Sequence, residues 1–265
     1  MIKPKKSLGQ NFLIDKNILK KIIKHADIHN NNIIEIGPGS GNLTNEIIFQ
    51  NPKNLTLIEK DKNLFTKLKN ELAFKKNITI INKDILDIDL EKLVKPATII
   101  IGNLPYNISS QILASLIKFK KWPPNYKQLI LMFQKEVAER INAKMGSIKY
   151  GRISLLTSSR LSTKNSFDVS PNCFYPKPKV NSSVLIMEPI INNNFHVENI
   201  ENLEKISHKF FSKKRKKINK VFKELFKNPF EVSKKLQINL DLRPSQLSDI
   251  EYFKITKYFE DYIKN

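Results

Sequence analysis

The stretch "NIIEIGPGSGNLT", residues 32–44, joins a run of apolar and β-branched residues to a run with helical spacing through a turn that holds three glycines. Similar apolar runs recur along the chain, and amphipathic runs separate them. The strand-like runs are 32–37, 55–60, 78–84, 97–103, 128–134 and 183–188, and the helical runs are 43–50, 62–74 and 108–119. This alternation predicts a doubly wound α/β sheet with helices on both faces, because buried parallel strands are apolar throughout.

The chain changes character after residue 189. The segment "PIINNNFHVEN" (189–199) is polar and lacks periodicity, which predicts a linker. Beyond it, four apolar residues at steps of seven, four and three predict one face of a single helix. They are Phe211, Ile218, Phe222 and Leu225. We therefore expect a catalytic domain over 1–189, with an N-terminal arm over 1–20, and a small all-helical domain over 190–265, whose last helix opens at a Ser248–Glu251 capping box.

Composition limits the kind of protein this is. The 265 residues are 40% hydrophobic, which is typical of a globular protein, and we expect no membrane span and no secretory signal. Cys173 is the single cysteine, which favours a reducing, cytoplasmic setting. The formal net charge is +21, from 46 Lys and Arg against 25 Asp and Glu. This excess favours a nucleic-acid partner, although a coding bias towards lysine is an alternative explanation.

The glycine turn predicts a ligand site. Gly37, Gly39 and Gly41 allow a tight turn and a close approach of the backbone to a ligand. The turn is not a phosphate-binding P-loop, because no Gly-Lys-Ser/Thr follows, and an acid, Glu35, precedes it where a pyrophosphate would be repelled. A ligand with a cationic centre and no phosphates fits better, and S-adenosylmethionine (SAM) is such a ligand.

Two further acids end the next two strand-like runs. Glu59 is placed to accept the two hydroxyls of a ribose, although a solvated strand-end charge is the plain alternative. Asp84 is placed for an adenine amino group, with Ile85 supplying backbone and apolar contact. The carboxyl ends of parallel strands meet at one edge of a sheet, so we expect these groups to converge on one crevice.

The next strand-like run ends in "GNLPY", within residues 98–110. The lone pair of an adenine amino group is delocalised into the ring, and two acceptors that hold its hydrogens would make the nitrogen more nucleophilic. Asn103 Oδ1 and the Leu104 carbonyl are the candidate acceptors, and Pro105 stiffens the turn. Tyr106 is the candidate platform for the base. Catalysis would then depend on alignment and hydrogen bonds rather than on a general base; an ordinary strand-to-helix turn is the alternative.

These motifs resemble those of the KsgA family of small-subunit ribosomal RNA adenine dimethyltransferases over nearly the whole chain. The matching stretches include "SLGQNFL", "EIGPGSGNLT", "IEKD", "KDILD", "GNLPYNIS", "YGRIS", "FYPKPKVNSSV" and "RPSQLS". The resemblance implies a Rossmann-like fold and SAM-dependent addition of two methyl groups to N6 of each of two adjacent adenosines. These adenosines lie in the loop of the 3′-terminal hairpin of 16S rRNA, within an immature small ribosomal subunit.

The resemblance also implies roles for particular residues. The SAM contacts of the family fall on Asn11, Leu13, Gly37, Glu59, Asp84 and Asn103. Phe174 matches the ring that is expected to pack on the target base opposite Tyr106. The arm would close over SAM, with Lys3, Lys5 and Lys6 meeting phosphate.

The segment "KFFSKKRKKINK" (209–220) carries seven basic residues and no acid, and it predicts an RNA-binding helix. Its central residues are Lys213, Lys214, Arg215, Lys216 and Lys217. The loop 144–151 also suits RNA. None of the four histidines, at 25, 29, 196 and 208, has the neighbours of a metal site, so no metal is expected. We expect a monomer.

Three other functions compete. A methyltransferase of the macrolide-resistance type, acting on large-subunit RNA, would share the "PKPKVNSS" segment. A DNA adenine methyltransferase is disfavoured, because Leu104 stands where that class usually has proline. A mainly non-catalytic factor that checks small-subunit assembly is the third alternative.

Overall fold

A computed structural model of the protein describes residues 4–5, 9–191, 197 and 199–264. Within them the strands are β1 (Phe12–Leu13), β2 (Asn32–Ile36), β3 (Asn54–Glu59), β4 (Ile78–Asn82), β5 (Thr98–Asn103), β6 (Tyr126–Gln134), β7 (Leu161–Val169), β8 (Phe174–Tyr175) and β9 (Ser182–Pro189). The helices are α1 (Lys16–Lys24), α2 (Asn42–Phe49), α3 (Lys62–Glu71), α4 (Leu90–Leu93), α5 (Ser109–Ile117), α6 (Lys135–Ile141), α7 (Arg152–Arg160), α8 (Ile200–Phe211), α9 (Asn219–Leu225), α10 (Pro229–Leu236) and α11 (Asp249–Lys264).

Seven strands form one sheet in the order β4-β3-β2-β5-β6-β9-β7. The pairings from β4 to β6 are parallel, whereas β9 is antiparallel to both β6 and β7. The chain runs outwards from β2 to β4 and then returns to add β5 on the other side of β2. The carboxyl ends of β2 and β5 therefore flank the point where the strand order reverses, and ligands of α/β sheets bind there.

The predicted α/β sheet is confirmed, because every strand-like run of the sequence forms a strand of this sheet. The successive residues Ile33 and Ile34 of β2 are both almost fully buried. Since alternate strand residues point to opposite faces, both faces of the sheet are covered. On one face, Ile33 belongs to a hydrophobic cluster with Leu19 of α1 and Ile47 of α2.

Two features were missed by the sequence analysis. Strand β7 lies at the edge of the sheet, and its central residues, 164–166, are exposed, so it lacks a continuous apolar run. Strands β1 and β8 form a separate two-stranded antiparallel ribbon that pairs Phe12 with Tyr175 and Leu13 with Phe174. A two-residue strand carries no periodic signal, and this pairing joins distant parts of the chain.

The chain divides into two compact units. The first comprises Met1–Ala138 and Leu161–Pro189, and the second comprises Glu139–Arg160 and Ile190–Asn265. The sequence boundary at 189 coincides with one of these divisions. Residues 139–160 lie in the second unit rather than in the first domain, where the sequence places them, and α7 of this segment packs against α8 and α11.

The predicted single helix through residues 211–225 is wrong. Helix α8 ends at Phe211, residues 212–215 form a turn followed by a bend at 216, and α9 begins at Asn219. Five consecutive cations occupy this interval, and like charges one turn apart destabilise a helix. In the turn, Lys213 pairs with Glu224, and Lys217 lies 2.7 Å from Asp241.

The capping box at the last helix is confirmed. The backbone N–H of Glu251 donates to Ser248 Oγ at 3.2 Å, and the backbone N–H of Ser248 donates to Glu251 Oε2 at 2.7 Å. The described helices include none with the length and apolar character that a bilayer crossing requires.

Candidate active site

A cleft opens in the first unit at the carboxyl ends of β2, β3 and β5. The space not filled by atoms, including the open solvent at its mouth, is about 1130 Å³. Its walls come from the segment before and within β1, the glycine turn after β2, the end of β3, the start of the turn after β4 and the "NLPY" turn after β5. The sheet topology thus gathers segments that are far apart in the sequence, and the crevice predicted from the strand ends is the cleft observed.

The glycine turn has a backbone that only glycine adopts without strain. Gly39 has φ +56°, and a Cβ atom at this position would lie 2.9 Å from Phe12 Cδ1. Gly41, with φ +90°, immediately precedes α2. The turn therefore passes beneath the Phe12 ring and delivers the start of α2 to the cleft, as a close backbone approach to a ligand requires.

Glu59 links this turn to the next strand. Its Oε2 accepts a hydrogen bond from the Gly39 N–H at 3.1 Å, and its Oε1 accepts one from the Asp61 N–H at 2.8 Å. Burial raises the pKa of Glu59, and these two hydrogen bonds oppose that shift. Each carboxylate oxygen keeps a second lone pair, so Glu59 can support the turn and still accept from ligand hydroxyls.

Glu35 differs from the sequence expectation of a negative charge at the turn. Its side chain is almost completely buried, and Thr44 Oγ1 donates to its Oε2 at 2.7 Å. Burial raises the pKa of Glu35 to about 8, so the carboxyl group is mainly protonated at neutral pH. Glu35 therefore ties β2 to α2 and does not supply a full charge opposite a cationic ligand.

Asp84 lies at the rim of the cleft and is already engaged. Its Oδ2 accepts from Lys60 Nζ at 2.6 Å, and its Oδ1 accepts from the Leu86 N–H at 3.1 Å. The hydrogen bond from Lys60 lowers the pKa of Asp84, so this carboxylate stays ionised. Lys60 also lines the cleft, a role that sequence reasoning missed.

Asn103 ends β5 and is anchored across the cleft. Its Nδ2 donates to the backbone carbonyl of Asn11 at 2.9 Å. A carbonyl only accepts hydrogen bonds, so this contact fixes which end of the amide is the nitrogen. Among the described residues, neither Asn103 Oδ1 nor the Leu104 carbonyl receives a hydrogen bond. Both candidate acceptors therefore remain available to a ligand.

The two aromatic rings assigned to the target base differ in position. Tyr106 lines the cleft, and its hydroxyl group lies 2.5 Å from Ser182 Oγ. Burial raises the pKa of Tyr106, so the phenol is neutral. Phe174 is only 3% exposed and belongs to the hydrophobic core with Leu13. Unlike Leu13, which also belongs to that core, Phe174 does not line the cleft.

Most of the residues predicted for this site do line the cleft. They are Asn11, Leu13, Gly37, Gly39, Glu59, Asp84, Ile85, Asn103, Leu104, Pro105 and Tyr106. Gly41 and Phe174 are not among the lining residues. Sequence reasoning missed Phe12, Lys60 and Asn42, whose Nδ2 donates to the Leu13 carbonyl at 2.7 Å. Asn42 directly follows the glycine turn, and this position in the sequence could have predicted that it lines the cleft.

The cations predicted to meet RNA are partly engaged within their own unit. Lys213 and Lys217 form ion pairs, and Lys214 donates to the carbonyls of Ile148 and Tyr150 at 2.6 and 2.9 Å. Two predicted cations, Arg215 and Lys216, are exposed and form no ion pair with any described residue.

Lys5, in the arm, lies 2.9 Å from Asp61 Oδ2 and so is already paired. Lys3 and Lys6, the other arm lysines predicted to meet phosphate, and His196 lie outside the described residues. Across the part of the chain that the structure describes, no three His, Cys, Asp or Glu side chains form a group able to hold a metal ion.

The order of the strands, with a glycine turn and a cleft at the point where that order reverses, is that of a Rossmann-like fold. The comparisons below identify it as a methyltransferase. A model of the family "Ribosomal RNA adenine dimethylase" matches residues 1–261. The chain belongs to this family.

Three comparisons agree with this assignment. Ribosomal RNA small subunit methyltransferase A from Pelagibacter ubique (strain HTCC1062) is 45% identical over 266 residues, which cover 98% of this chain and 98% of the relative. The protein of the same name from Wolbachia sp. subsp. Drosophila simulans (strain wRi) is 40% identical over 260 residues, with 96% and 92% covered. The crystal structure of a dimethyladenosine transferase from Plasmodium falciparum is similar with a TM-score of 0.78 at 25% identity, covering 94% of this chain and 98% of that one.

Proposed function

We propose that this protein transfers methyl groups from SAM to N6 of two adjacent adenosines in the 3′-terminal hairpin loop of 16S rRNA. The substrate is an immature small ribosomal subunit, and the enzyme acts as a monomer in the cytoplasm. The names of the relatives, which specify the small ribosomal subunit, favour this substrate over large-subunit RNA.

The residues of the cleft fit SAM by their chemistry. Gly37 and Gly39 present no side chains to the cleft, and a Cβ on Gly39 would already contact Phe12. Glu59 offers carboxylate oxygens for ribose hydroxyls, and Asp84 offers an ionised acceptor for an amino group. Bound SAM would supply an electrophilic methyl group on a sulfonium centre.

The observation that carries the proposal is the pair of unused acceptors at the end of β5. Asn103 Oδ1 and the Leu104 carbonyl would accept the two amino hydrogens of adenine, which turns the nitrogen lone pair out of conjugation with the ring. The Asn11 carbonyl holds the Asn103 amide in place, so this geometry is preorganised. Tyr106, held through Ser182, would stack on the base. Each transfer would break the S–CH3 bond of SAM, and the methylated nitrogen would lose one proton to solvent. The monomethylated nitrogen keeps one hydrogen and its lone pair, so one of the two acceptors can still hold it for a second transfer.

A single-stranded loop is the substrate form that suits this cleft. A loop base is extruded into a pocket at lower cost than a paired base. The net charge of +21 favours the RNA backbone as a partner, and the exposed cations Arg215 and Lys216 are the strongest candidates to contact it.

Methylation of defined ribosomal particles tests the proposal. Small subunits that lack adenosine dimethylation would be incubated with the full chain and isotopically labelled SAM, and fragments of the 16S rRNA would be weighed by mass spectrometry. We expect two adjacent adenosines near the 3′ end to gain two methyl groups each. Large subunits treated in parallel are the control. Methylation of large-subunit RNA instead, or binding to small subunits without methyl incorporation, would contradict the proposal.

A further inference from the structure

The ribbon of β1 and β8 sorts its side chains onto two faces. Directly paired residues of an antiparallel ribbon share a face, and successive residues alternate between faces. Leu13 and Phe174 are paired and buried, with exposures of 4% and 3%, so their face is the core face. Phe12 and Tyr175 are paired one residue away and therefore share the opposite face.

The ribbon borders the cleft, which Leu13 of the core face and Phe12 of the opposite face both line. Phe12 also lies over Gly39 in the glycine turn. Tyr175 stands beside Phe12 on the same face, and its side chain is 57% exposed. Of the two rings of β8, that of Tyr175 is therefore exposed and paired with a cleft residue, whereas that of Phe174 is buried.

The surroundings of Tyr175 have the chemistry of a nucleic-acid site. Lys177 and Lys179 follow it in the same loop, are exposed and form no ion pair with any described residue. The loop ends at Ser182, which holds Tyr106 through its hydroxyl. Tyr175 therefore precedes a positively charged loop, and Tyr106 is hydrogen-bonded to the residue that follows it. A solvent-exposed ring flanked by lysines suits a single-stranded RNA base with its phosphates.

We propose that Tyr175 is the platform on which the nucleotide next to the target adenosine stacks. This inference rests on the proposed function. When one of two adjacent adenosines occupies the cleft, the enzyme must hold the other one outside it. Tyr175 then contributes to the binding of the RNA and to its register. We expect no contribution to the affinity for the methyl donor, because Tyr175 is not among the residues that line the cleft.

The test compares Tyr175→Ala, Tyr175→Leu and Tyr175→Phe with the unaltered enzyme. Phe49→Ala is the matched control, since Phe49 is an exposed aromatic residue of the same unit, 79% accessible, and does not line the cleft. Rates would be measured against the concentration of dimethyl-deficient small subunits, and donor affinity would be measured by calorimetry without RNA. We expect both the Ala and Leu variants to raise KM for the particle by about 5- to 140-fold, the range for loss of one base–aromatic stack. The Phe variant and the control should stay within about twofold, since a phenylalanine ring also stacks.

The possible outcomes distinguish the platform role of Tyr175 from the proposed function. An active unaltered enzyme whose KM is unchanged by Tyr175→Ala would overturn the platform and leave the proposed function intact. A parallel loss of donor affinity in Tyr175→Ala and Tyr175→Leu would also overturn it, because the residue would then be shaping the cleft. An unaltered enzyme that does not methylate small subunits would overturn the proposed function itself and the platform with it.

Discussion

The side-chain amide of Asn103 donates a hydrogen bond to the backbone carbonyl of Asn11, 92 residues earlier in the chain, at 2.9 Å. This contact ties the N-terminal arm to the end of β5. It also sets the direction of the amide, since only the nitrogen can face a carbonyl. One side chain therefore positions the arm over the cleft and orients the oxygen proposed to hold the adenine amino group.

Replacement of Asn103 by Ala should reduce kcat by about 100- to 1000-fold, the loss expected when one preorganised partner of a transition state is removed. Binding to small subunits should persist, because the exposed cations are unchanged. Methyl incorporation and particle binding would be measured on the same preparation. Asn172→Ala, at an exposed asparagine outside the cleft, is the control. A kcat within twofold of the unaltered enzyme would remove Asn103 from its proposed role.

Gly39 and Gly146 offer a matched pair of substitutions. Both glycines have a positive φ, +56° and +84°, so an alanine at either position costs about 1–2 kcal/mol of backbone strain. Only at Gly39 would the new Cβ meet another group, Phe12, whereas the space around Gly146 is open. We expect Gly39→Ala to lower donor affinity at least tenfold and Gly146→Ala to leave it unchanged, as measured by calorimetry. Equal donor affinities in the two variants would show that the shape of the glycine turn does not matter for the ligand.

Asp84→Asn should weaken donor binding by about tenfold. The substitution keeps an oxygen for the Leu86 N–H but replaces a charged acceptor by a neutral one, and hydrogen bonds to charged groups are worth about 1.5–3 kcal/mol. The control is Asp87→Asn, which alters an exposed carboxylate of the same turn that is not part of the cleft. If both variants bind the donor equally well, the carboxylate of Asp84 serves the turn and the Lys60 pair rather than the ligand.

The sequence was sufficient for the sheet and for most of the cleft, because both depend on local patterns. Each buried strand is an apolar run. The glycine turn and the "NLPY" turn contain glycine and proline, the residue types that favour such turns. The edge strand β7 was not predictable in this way, since its centre is exposed and polar. The orientation of Phe174 was also out of reach, because it depends on which residue of β1 pairs with it across the fold.

The C-terminal basic segment shows the same limit. Spacing predicted a continuous helix, but the charges of Lys213 and Lys217 are satisfied by Glu224 and Asp241, which lie elsewhere in the sequence. Partner choice of this kind is set by the folded unit. For Asp84, likewise, the sequence predicted that the residue lies at the end of a strand. It did not show that the Asp84 carboxylate forms an ion pair with Lys60.

Two double variants of the basic segment separate paired from unpaired cations. Arg215→Ser with Lys216→Ser removes two cations that form no ion pair among the described residues, and Lys213→Ser with Lys217→Ser removes two that do. The change in net charge is the same. The first variant should reduce the slope of log K against log salt for RNA binding by about 1 to 2, and the second by less than half as much. Equal reductions would mean that the ion pairs open on binding.

Glu35 gives a prediction about pH. Because burial raises its pKa to about 8 in the folded protein, from 4.5 as the reference value, its contribution to stability is fully present below pH 4.5 and is lost as the pH rises to about 8. Glu35→Gln keeps an acceptor for Thr44 but cannot ionise. The free energy of unfolding, measured by urea denaturation at pH 5, 7 and 9, should therefore fall more steeply with pH in the unaltered protein than in Glu35→Gln. One pKa unit corresponds to about 1.4 kcal/mol, so the loss of unfolding free energy between pH 5 and pH 9 should be greater in the unaltered protein by more than about 1 kcal/mol.

Glu46→Gln, which removes the carboxylate of Glu46 in the same helix as Thr44, is the control and should follow the unaltered protein. Parallel pH curves for Glu35→Gln and the unaltered protein would show that Glu35 ionises normally in the folded state and that its hydrogen bond with Thr44 has another basis.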